Sequence, residues 1–571
     1  MCGILGGNNQ SWNYGNAIDK LAHRGPDAVK IYKTEQITFA FARLSIIDLN
    51  SNAMQPMVSN DGRFAIVFNG EIYDYEKIKN ELIKQGYIFR TKSDTEVLLY
   101  AFSMWREKVV DHIDGIFAFA VYDKLEGKMY LFRDRCGVKP LYYYYNGDDF
   151  AFASELKAIK ELGGNVKLTI DQTALYDYHT YLYIPEPKTM YQEVKKLQAA
   201  SMLIFDVKSK KIHQIKKYWK VHLNTKAGNP LSEKKMDEKA DELRFHLGNA
   251  VKRQIVADVP VGTFLSGGVD SSIITAEVKN SMGDVTAFSI GFPDKRYDES
   301  IYAEKAADLL NVQLRIKRFE HTDFKELYNK LYDIYDEPYA DASAYPTYFV
   351  SKYAKEHVTV VLTGDGGDEL FGGYARCIFC RDELTNRQYV RKCVSDLYFK
   401  YMKRLNYAGG YFDQFLEEDL AILAPLYLYI GLPDRKQLRK KYDIPIDYDD
   451  FWYYRKYYHK DLPPYTRMRY LDFMTYLNGD ILTKVDRASM AVSLEARVPF
   501  LDKEVIDYAF SLTEQECNPN GELKGLLKHA YRKWIPKSFF NRRKQGFSIP
   551  FSFIQKSRTP QEHLIRDIWN L

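Results

Sequence analysis

The chain has 571 residues, of which 27% are charged, and its formal net charge is +5 at pH 7. This length exceeds what one hydrophobic core organises, so we expect two or three domains. Acidic and basic residues are intermixed, and the charge balance gives no reason to expect nucleic acid or an anionic membrane as a partner. No apolar run approaches the ~20 residues that cross a bilayer. We therefore expect a cytosolic protein.

From Cys2 to about Glu161 the chain alternates short strands with turn signals. Two stretches in this part have helical periodicity, Tyr75–Gln85 and Asp94–Trp105, the second capped by Ser93 or Asp94. The predicted strands are Ile37–Leu44, Phe64–Phe68, Phe117–Tyr122, Met129–Arg133, Leu141–Tyr145 and Phe150–Ala153. This pattern predicts a sheet-rich domain with few helices.

From about Pro230 the pattern changes to strand–helix repeats, and beyond Leu370 it changes to long helices. A proline-marked stretch lies between the two parts and suits a connector. We place a first domain at residues 2–190, a connector at 191–229 and a second domain at 230–571.

The first chemical signal is Cys2. Removal of Met1 by a methionine aminopeptidase would leave a thiol and a free α-amine on one residue. An α-amine has a pKa near ~8, so it can accept the thiol proton close to neutral pH. By itself a cysteine at position 2 is usually without function, and the remaining sequence has to support this interpretation.

The other five cysteines form no framework, and we expect reduced thiols. Cys377 and Cys380 have CxxC spacing, but a second pair and a nearby histidine are missing, so a tetrahedral zinc site lacks ligands. Two small buried hydrophobic residues are the simpler interpretation.

The second chemical signal is the segment Phe264–Ser272, FLSGGVDSS, between a predicted strand (Val259–Leu265) and a predicted helix (Ile273–Asn280). A Gly-Gly turn there exposes backbone N–H groups at a helix N-terminus, which is typical of a phosphate cradle. The loop lacks the lysine of the common P-loop. Asp270 would repel phosphate unless a divalent cation bridges them, which implies Mg²⁺.

A third signal follows the predicted strand Val358–Leu362. The segment Thr363–Gly373 contains five glycines and three acids, as expected where backbone approaches a ligand and carboxylates approach a metal. A surface acidic loop is the alternative. Another predicted strand, Thr286–Phe292, with a helix over Tyr302–Leu310, fits the same parallel sheet. Because ligands bind at the carboxyl ends of such strands, we expect the loops Ser266–Ser272 and Gly364–Asp368 to face one another.

Taken together, these motifs resemble those of the glutamine-hydrolysing asparagine synthetases over the whole chain. In the first half the matching segments are Met1–Ile4, His23–Asp27, Arg43–Asp48, Phe68–Ile72, Ser93–Glu96, Arg133–Asp134, Gly137–Tyr142 and Ser154–Lys157. In the second half they are Leu265–Ser272, Thr363–Tyr374, Asp480–Arg487, Ser493–Asp502 and Lys544–Phe547.

The resemblance implies an α+β N-terminal-nucleophile sandwich (αββα) that acts as a glutaminase. It implies next an α/β parallel-sheet nucleotide-binding domain of the ATP-pyrophosphatase type with a helical C-terminal part. It also implies the substrates glutamine, aspartate and ATP, with Mg²⁺, and ammonia passing through an internal channel. A homodimer is usual for the family.

In the glutaminase half the resemblance implies that Cys2 attacks the glutamine amide, with Asn69 and Gly70 as the oxyanion hole. Arg43 would bind the glutamine carboxylate and Asp94 its ammonium group. The other residues of this pocket would be Leu44, Ser45, Ile46, Ile47 and Glu71. The alternatives are that Arg43 and Asp94 form surface ion pairs and that Asn69-Gly70 is a type I′ hairpin turn.

In the second half the resemblance implies adenylation of a carboxylate, with pyrophosphate leaving and ammonia displacing AMP. The implied ATP-binding residues are Leu265, Ser266, Gly267, Gly268, Val269, Asp270, Ser271, Ser272, Ile290, Thr363 and Gly364. Asp270 and Asp368 would hold Mg²⁺, and Asp365 would belong to the carboxylate-activating loop. Lys484 would neutralise phosphate charge; a salt bridge to Asp480 or Asp486 is the alternative.

Three functions remain open from the sequence. The first is asparagine synthesis, and the second is amidation of another carboxylate, such as a sugar uronic acid in surface-polysaccharide assembly. The third is a glutamine or nucleotide sensor without turnover, which the intact Cys2, Asn69, Asp270 and Asp368 disfavour. An aminosugar-forming amidotransferase is disfavoured by the SGGVDSS loop, since isomerising a sugar phosphate needs no ATP.

Overall fold

The computed structural model of the protein describes residues 1–328, 330–378, 435–540 and 569. Twelve strands of its described N-terminal part form two six-stranded antiparallel sheets. They are β1 (Gly3–Gly7), β2 (Ala28–Lys33), β3 (Thr38–Arg43), β4 (Met57–Val58), β5 (Phe64–Tyr73), β6 (Asp114–Asp123), β7 (Lys128–Arg133), β8 (Tyr142–Tyr145), β9 (Phe150–Ala153), β10 (Val194–Lys196), β11 (Ser201–Asp206) and β12 (Lys211–Lys217).

The two sheets pack face to face. The first has the order β10-β8-β9-β1-β3-β2 and the second β12-β11-β7-β6-β5-β4. Apolar side chains from both, such as Phe41 and Val67, share one buried cluster between them. The helices Tyr75–Lys84 and Asp94–Trp105 cover the outer face of the second sheet, and Tyr14–Asp19 and Leu156–Glu161 cover that of the first. The predicted αββα sandwich is confirmed.

All six predicted strands of this part are present, and β5 is longer than predicted. The periodicity missed β1, β2, β4 and the helices Tyr14–Asp19 and Leu156–Glu161. The segment Gly3–Gly7 is buried on both faces and does not alternate, and β2 is an exposed edge strand. The stretch 191–229, predicted as a connector, contains three strands of the sandwich: β10 belongs to the first sheet, and β11 and β12 belong to the second.

The second half is built on a parallel sheet of the order β15-β14-β13-β16-β17. Its strands are β13 (Val261–Phe264), β14 (Thr286–Gly291), β15 (Gln313–Arg318), β16 (Val360–Leu362) and β17 (Glu495–Arg497). Every described pairing in it is parallel. The predicted strands β13, β14 and β16 are confirmed, and β15 and β17 were not predicted.

Helices surround this sheet and dominate the described C-terminal part, as predicted. Those before β17 are Gln172–Tyr181, Glu233–Gln254, Val269–Met282, Ser300–Leu310, His321–Tyr328, Leu331–Tyr335, Ala344–Lys355, Gly367–Phe371, Arg435–Lys441, Trp452–Arg455, Pro464–Leu471 and Thr483–Met490. Those after it are Lys503–Ser511, Glu514–Cys517, Gly525–Ala530 and Lys537–Phe540. A π-helical segment, Asp472–Leu482, connects Pro464–Leu471 to Thr483–Met490.

Two sequence-based interpretations concern residues outside the described part. Cys377 is buried, but Cys380 lies outside it, and so does the motif Lys544–Phe547. Within the described ranges, the helices are too short or too polar for one of them to cross a membrane.

Candidate active sites

Cys2 immediately precedes β1 and is buried between the two antiparallel sheets. Its backbone N–H donates to Asn69 Oδ1 at 2.9 Å, and the N–H of Leu44 donates to its sulfur at 3.5 Å. Burial raises the pKa of the thiol, and the N-terminal ammonium opposes that shift. The thiol therefore needs a nearby base to become a nucleophile.

Asn69 and Gly70 lie inside β5, where they pair with Ala118 and Phe117 of β6. The hairpin-turn alternative is therefore wrong. A side chain at Gly70 would place its Cβ 2.0 Å from the carbonyl oxygen of Ile116, so only glycine fits. The Nδ2 of Asn69 is buried and has no hydrogen-bond partner among the described residues, as a donor reserved for a ligand would be.

Arg43 and Asp94 are both buried and do not form surface ion pairs. The guanidinium of Arg43 donates to the carbonyl oxygens of Asp48 at 2.6 Å and Asn50 at 2.9 Å, which fixes its orientation. Asp94 accepts from the N–H of Ile72 at 3.0 Å. Burial raises the pKa of its carboxyl to about 6.

The predicted pocket residues differ in exposure. Leu44, Ile46 and Glu71 are buried, Ile47 is half-buried, and the N–H of Ser45 donates to Asp27. Glu71 forms an ion pair with Arg497 at 3.3 Å. This partner comes from the parallel sheet of the second half, which sequence reasoning did not place here.

The N-terminus also contacts that sheet. The amine of Met1 forms an ion pair of 2.9 Å with Glu495 Oε2, and both side chains are fully buried. Glu495 and Arg497 belong to β17, so one short strand brings two charged side chains to the predicted glutamine site. Their signal in the sequence is only the matching segment Ser493–Asp502.

The predicted phosphate cradle joins β13 to the helix Val269–Met282. Gly267 has φ of +71°, and a Cβ there would lie 2.4 Å from the Tyr302 carbonyl. The hydroxyls of Ser266 and Ser271 lie 3.1 Å apart. The remaining predicted ATP-binding residues lie at the carboxyl ends of strands or in the loops and helix that follow: Leu265, Gly268, Val269, Asp270, Ser272, Ile290, Thr363 and Gly364.

The two glycine-rich loops face one another, as predicted. A Cβ on Gly364 would lie 2.8 Å from Asp270 Cβ, and one on Gly367 would lie 2.5 Å from Asp270 Oδ1. The glycines thus allow the second loop to pack directly against the first. This contact contradicts the alternative of a surface acidic loop.

Lys524 lies between the two loops and was missed by sequence reasoning. Its ammonium group contacts Asp270 Oδ2 and lies 2.6 Å from Asp368 Oδ1. Its side chain is buried. Burial by itself would lower the pKa of the amine, but the two carboxylates outweigh that effect and raise the pKa above its usual value. A lysine at the N-terminal end of a short helix carries no signal of such a contact.

The donor set at this point fits Mg²⁺. The carboxylates of Asp270 and Asp368 lie close together, since both contact the Lys524 ammonium. Mg²⁺ is commonly held by one or two carboxylates together with substrate phosphates. Clusters of three or more His, Cys, Asp or Glu with metal-binding arrangement are absent from the described residues, so the phosphates would have to complete the site.

Lys484 pairs with Asp341 at 3.2 Å, not with Asp480 or Asp486 as the alternative proposed. Asp365 accepts from the Thr363 hydroxyl at 2.7 Å, and burial raises the pKa of its carboxyl against the opposing charge of Lys484. Burial beside Asp341 raises the pKa of Asp480 to about 7. Lys484 thus stands among three carboxyl groups next to the second glycine-rich loop.

Two protein families match this chain. The glutamine amidotransferase domain matches residues 1–219 and asparagine synthase matches residues 242–568. Asparagine synthetase [glutamine-hydrolyzing] 1 of Bacillus subtilis is 35% identical over 539 residues, covering 93% of this chain and 82% of the relative. A putative asparagine synthetase [glutamine-hydrolyzing] 2 of Methanocaldococcus jannaschii is 38% identical, covering 66% of this chain and 76% of the relative.

Among solved structures, the glutamine phosphoribosylpyrophosphate amidotransferase from B. subtilis matches with a TM-score of 0.31 and 15% identity, covering 56% of this chain and 81% of that one. The family matches span both halves of the chain, in the order in which its two sites occur. The chain belongs to the family of glutamine-hydrolysing asparagine synthetases, which are ATP-dependent carbon–nitrogen ligases with glutamine as the amido donor.

Proposed function

We propose that this protein makes asparagine from aspartate, ATP and glutamine through a β-aspartyl-AMP intermediate, releasing glutamate, AMP and pyrophosphate. The main support for this proposal is that one chain combines the buried, hydrogen-bonded Cys2 and Asn69 with two glycine-rich loops that converge on Lys524. The names of the relatives support aspartate as the acceptor.

In the glutaminase reaction, Cys2 attacks the side-chain amide after its thiol proton passes to its own α-amine, once Met1 is removed. Asn69 Nδ2, which has no partner among the described residues, and the Gly70 N–H stabilise the oxyanion. Arg43 holds the glutamine carboxylate, and Asp94 accepts the ammonium group. Ammonia leaves when the thioester forms, and water then hydrolyses the thioester to glutamate.

In the synthetase reaction, the N–H groups and hydroxyls of Ser266–Ser272 bind the phosphates of ATP. Mg²⁺ would be held by Asp270 and Asp368 and would neutralise charge on the departing pyrophosphate. Lys524, between these carboxylates, and Lys484, beside Asp365, supply further positive charge. An aspartate carboxylate oxygen attacks the α-phosphorus, and ammonia then displaces AMP.

Ammonia must reach the second site without becoming ammonium in bulk water. The two halves meet over a buried surface that includes Glu71–Arg497 and Arg24–Asp486 ion pairs. The proposed route for ammonia runs through this interface.

The test measures AMP and pyrophosphate with aspartate as the sole acceptor, and with glutamine or ammonium as the nitrogen source. Cys2→Ala should abolish synthesis with glutamine and retain synthesis with ammonium. Asp270→Asn should stop pyrophosphate release while glutamate production continues. Release of pyrophosphate with a uronic acid and not with aspartate would show that the acceptor is the uronic acid. Formation of ADP and orthophosphate would refute adenylation.

A further inference from the structure

The loop of residues 46–50, which follows β3, orients the proposed ligand of the glutamine carboxylate. The Arg43 guanidinium donates to the carbonyl oxygens of Asp48 at 2.6 Å and Asn50 at 2.9 Å. The direction of the guanidinium therefore depends on where the backbone of this loop lies. Because a misplacement of about 1 Å is costly for a group that positions a substrate, the loop has to be held in place.

Asp48 also reaches the segment that carries the proposed ligand of the glutamine ammonium group. Its Oδ2 accepts from the N–H of Lys92 at 2.7 Å, and Asp94 follows Lys92 by two positions. The φ of Asp48 is +54°, in the left-handed region that a residue with a side chain keeps only where its surroundings hold it. Asp48 thus links the segments of Arg43 and Asp94, and its backbone needs support.

That support comes from Asp258, which belongs to the second half of the chain. The N–H of Asp48 donates to Asp258 Oδ2 at 2.8 Å, across 210 residues of sequence. The N–H of Asp258 donates to the carbonyl oxygen of Ile46 at 2.9 Å. Asp258 therefore holds the backbone of the loop at two points, on either side of Ile47.

The segment that carries Asp258 is itself tied to the parallel sheet. It lies between the helix that ends at Gln254 and β13. Arg497 of β17 donates to the carbonyl oxygens of Gln254 and Val256, at 2.7 Å in each case. A side chain on a supported segment of this kind can hold its partner in a defined position.

We propose that Asp258 is a positioning residue for glutamine binding. By accepting the Asp48 N–H, it holds the loop of residues 46–50 so that Arg43 and Asp94 meet the substrate together. This inference rests on the proposed glutaminase function. It implies that the glutaminase half binds glutamine with full affinity only while it contacts the second half.

The test is the kinetics of glutamate production by Asp258→Ala. Because Asp258 is exposed, the substitution leaves the hydrophobic core unchanged. Loss of the hydrogen bond lowers the fraction of enzyme whose loop is correctly placed, so the KM for glutamine should rise about five- to twentyfold. The kcat should stay near the wild-type value, since Cys2, Asn69 and Gly70 lie outside the loop.

Two further variants supply the comparison. Asp258→Asn keeps an oxygen that can accept from the Asp48 N–H, so its KM should lie close to the wild-type value. Asp284→Ala, at an exposed position before β14, is the matched control and should change neither constant. Ammonium-dependent synthesis by all three variants should equal that of the wild type.

The possible failures are distinguishable. An unchanged KM in Asp258→Ala would overturn the role of Asp258, and so would a lower kcat at an unchanged KM, which indicates fewer folded molecules. An equal rise in KM for Asp258→Asn and Asp258→Ala would also overturn it, because the effect would then belong to the charge. A wild-type enzyme that does not hydrolyse glutamine would instead refute the proposed function.

Discussion

Arg24 donates from both terminal nitrogens to the two carboxylate oxygens of Asp486, at 2.8 and 3.1 Å, across 462 residues of sequence. Arg24 is fully buried, and it also reaches Glu155 at 2.7 Å. One guanidinium therefore ties the glutaminase half to the helix that carries Lys484.

Asp486→Asn should destabilise the protein by about 3–5 kcal/mol, because it leaves a buried guanidinium short of one counter-charge. Thermal unfolding followed by circular dichroism measures the effect. Asp74→Asn is the matched control, since its ion pair with Lys77 is exposed and such pairs contribute at most about 1 kcal/mol. Equal melting temperatures for the two variants would contradict an important role for the buried pair.

Asn69→Ala should lower the turnover number for glutamine by about 10²–10³, the usual loss when one oxyanion donor is removed. Glutamate production is the measurement, and ammonium-dependent synthesis should persist. The control is Asn80→Ala, on the exposed side of a helix, which should retain wild-type rates. A variant at Asn69 with near-normal turnover would remove that residue from the oxyanion hole.

Glutamine should bind more weakly as the pH falls through about 6, the pKa to which burial raises Asp94. Below that pH the carboxyl is protonated and loses its attraction for the substrate ammonium group, so the dissociation constant should rise about tenfold per unit. Calorimetry on the Cys2→Ala variant measures binding without turnover.

The same titration on Cys2→Ala/Asp94→Asn supplies the comparison. Its binding should be weak and nearly independent of pH in this range. If both proteins showed the same dependence, the titrating group would not be Asp94.

Lys524→Met should reduce pyrophosphate release by at least about 100-fold, a loss typical of a removed electrostatic contact to a transition state. The glutaminase should remain active, because the ion pairs of Lys524 within the described part of the chain join it to the loops of the other site. Lys533→Met, at an exposed position near the same short helix, is the matched control. Full adenylation activity in Lys524→Met would leave the lysine a purely structural role.

Local sequence chemistry was sufficient for much of the molecule. Alternating residues predicted β5–β9, and glycine with acidic residues predicted both glycine-rich loops, since these features depend on neighbours along the chain. Asn-Gly at positions 69 and 70 shows the limit of this reasoning. The dipeptide favours a turn locally, but pairing with β6 along the full length of β5 keeps it extended.

The sequence by itself determined the two chemistries, their order along the chain and the residues of each loop. Only the tertiary structure decided which charges meet: Lys524 reaches Asp270 across 254 residues, and β17 carries Glu495 to the N-terminus. Such contacts arise when distant segments are brought together by burial of a shared core, and residue spacing within one segment holds no record of them.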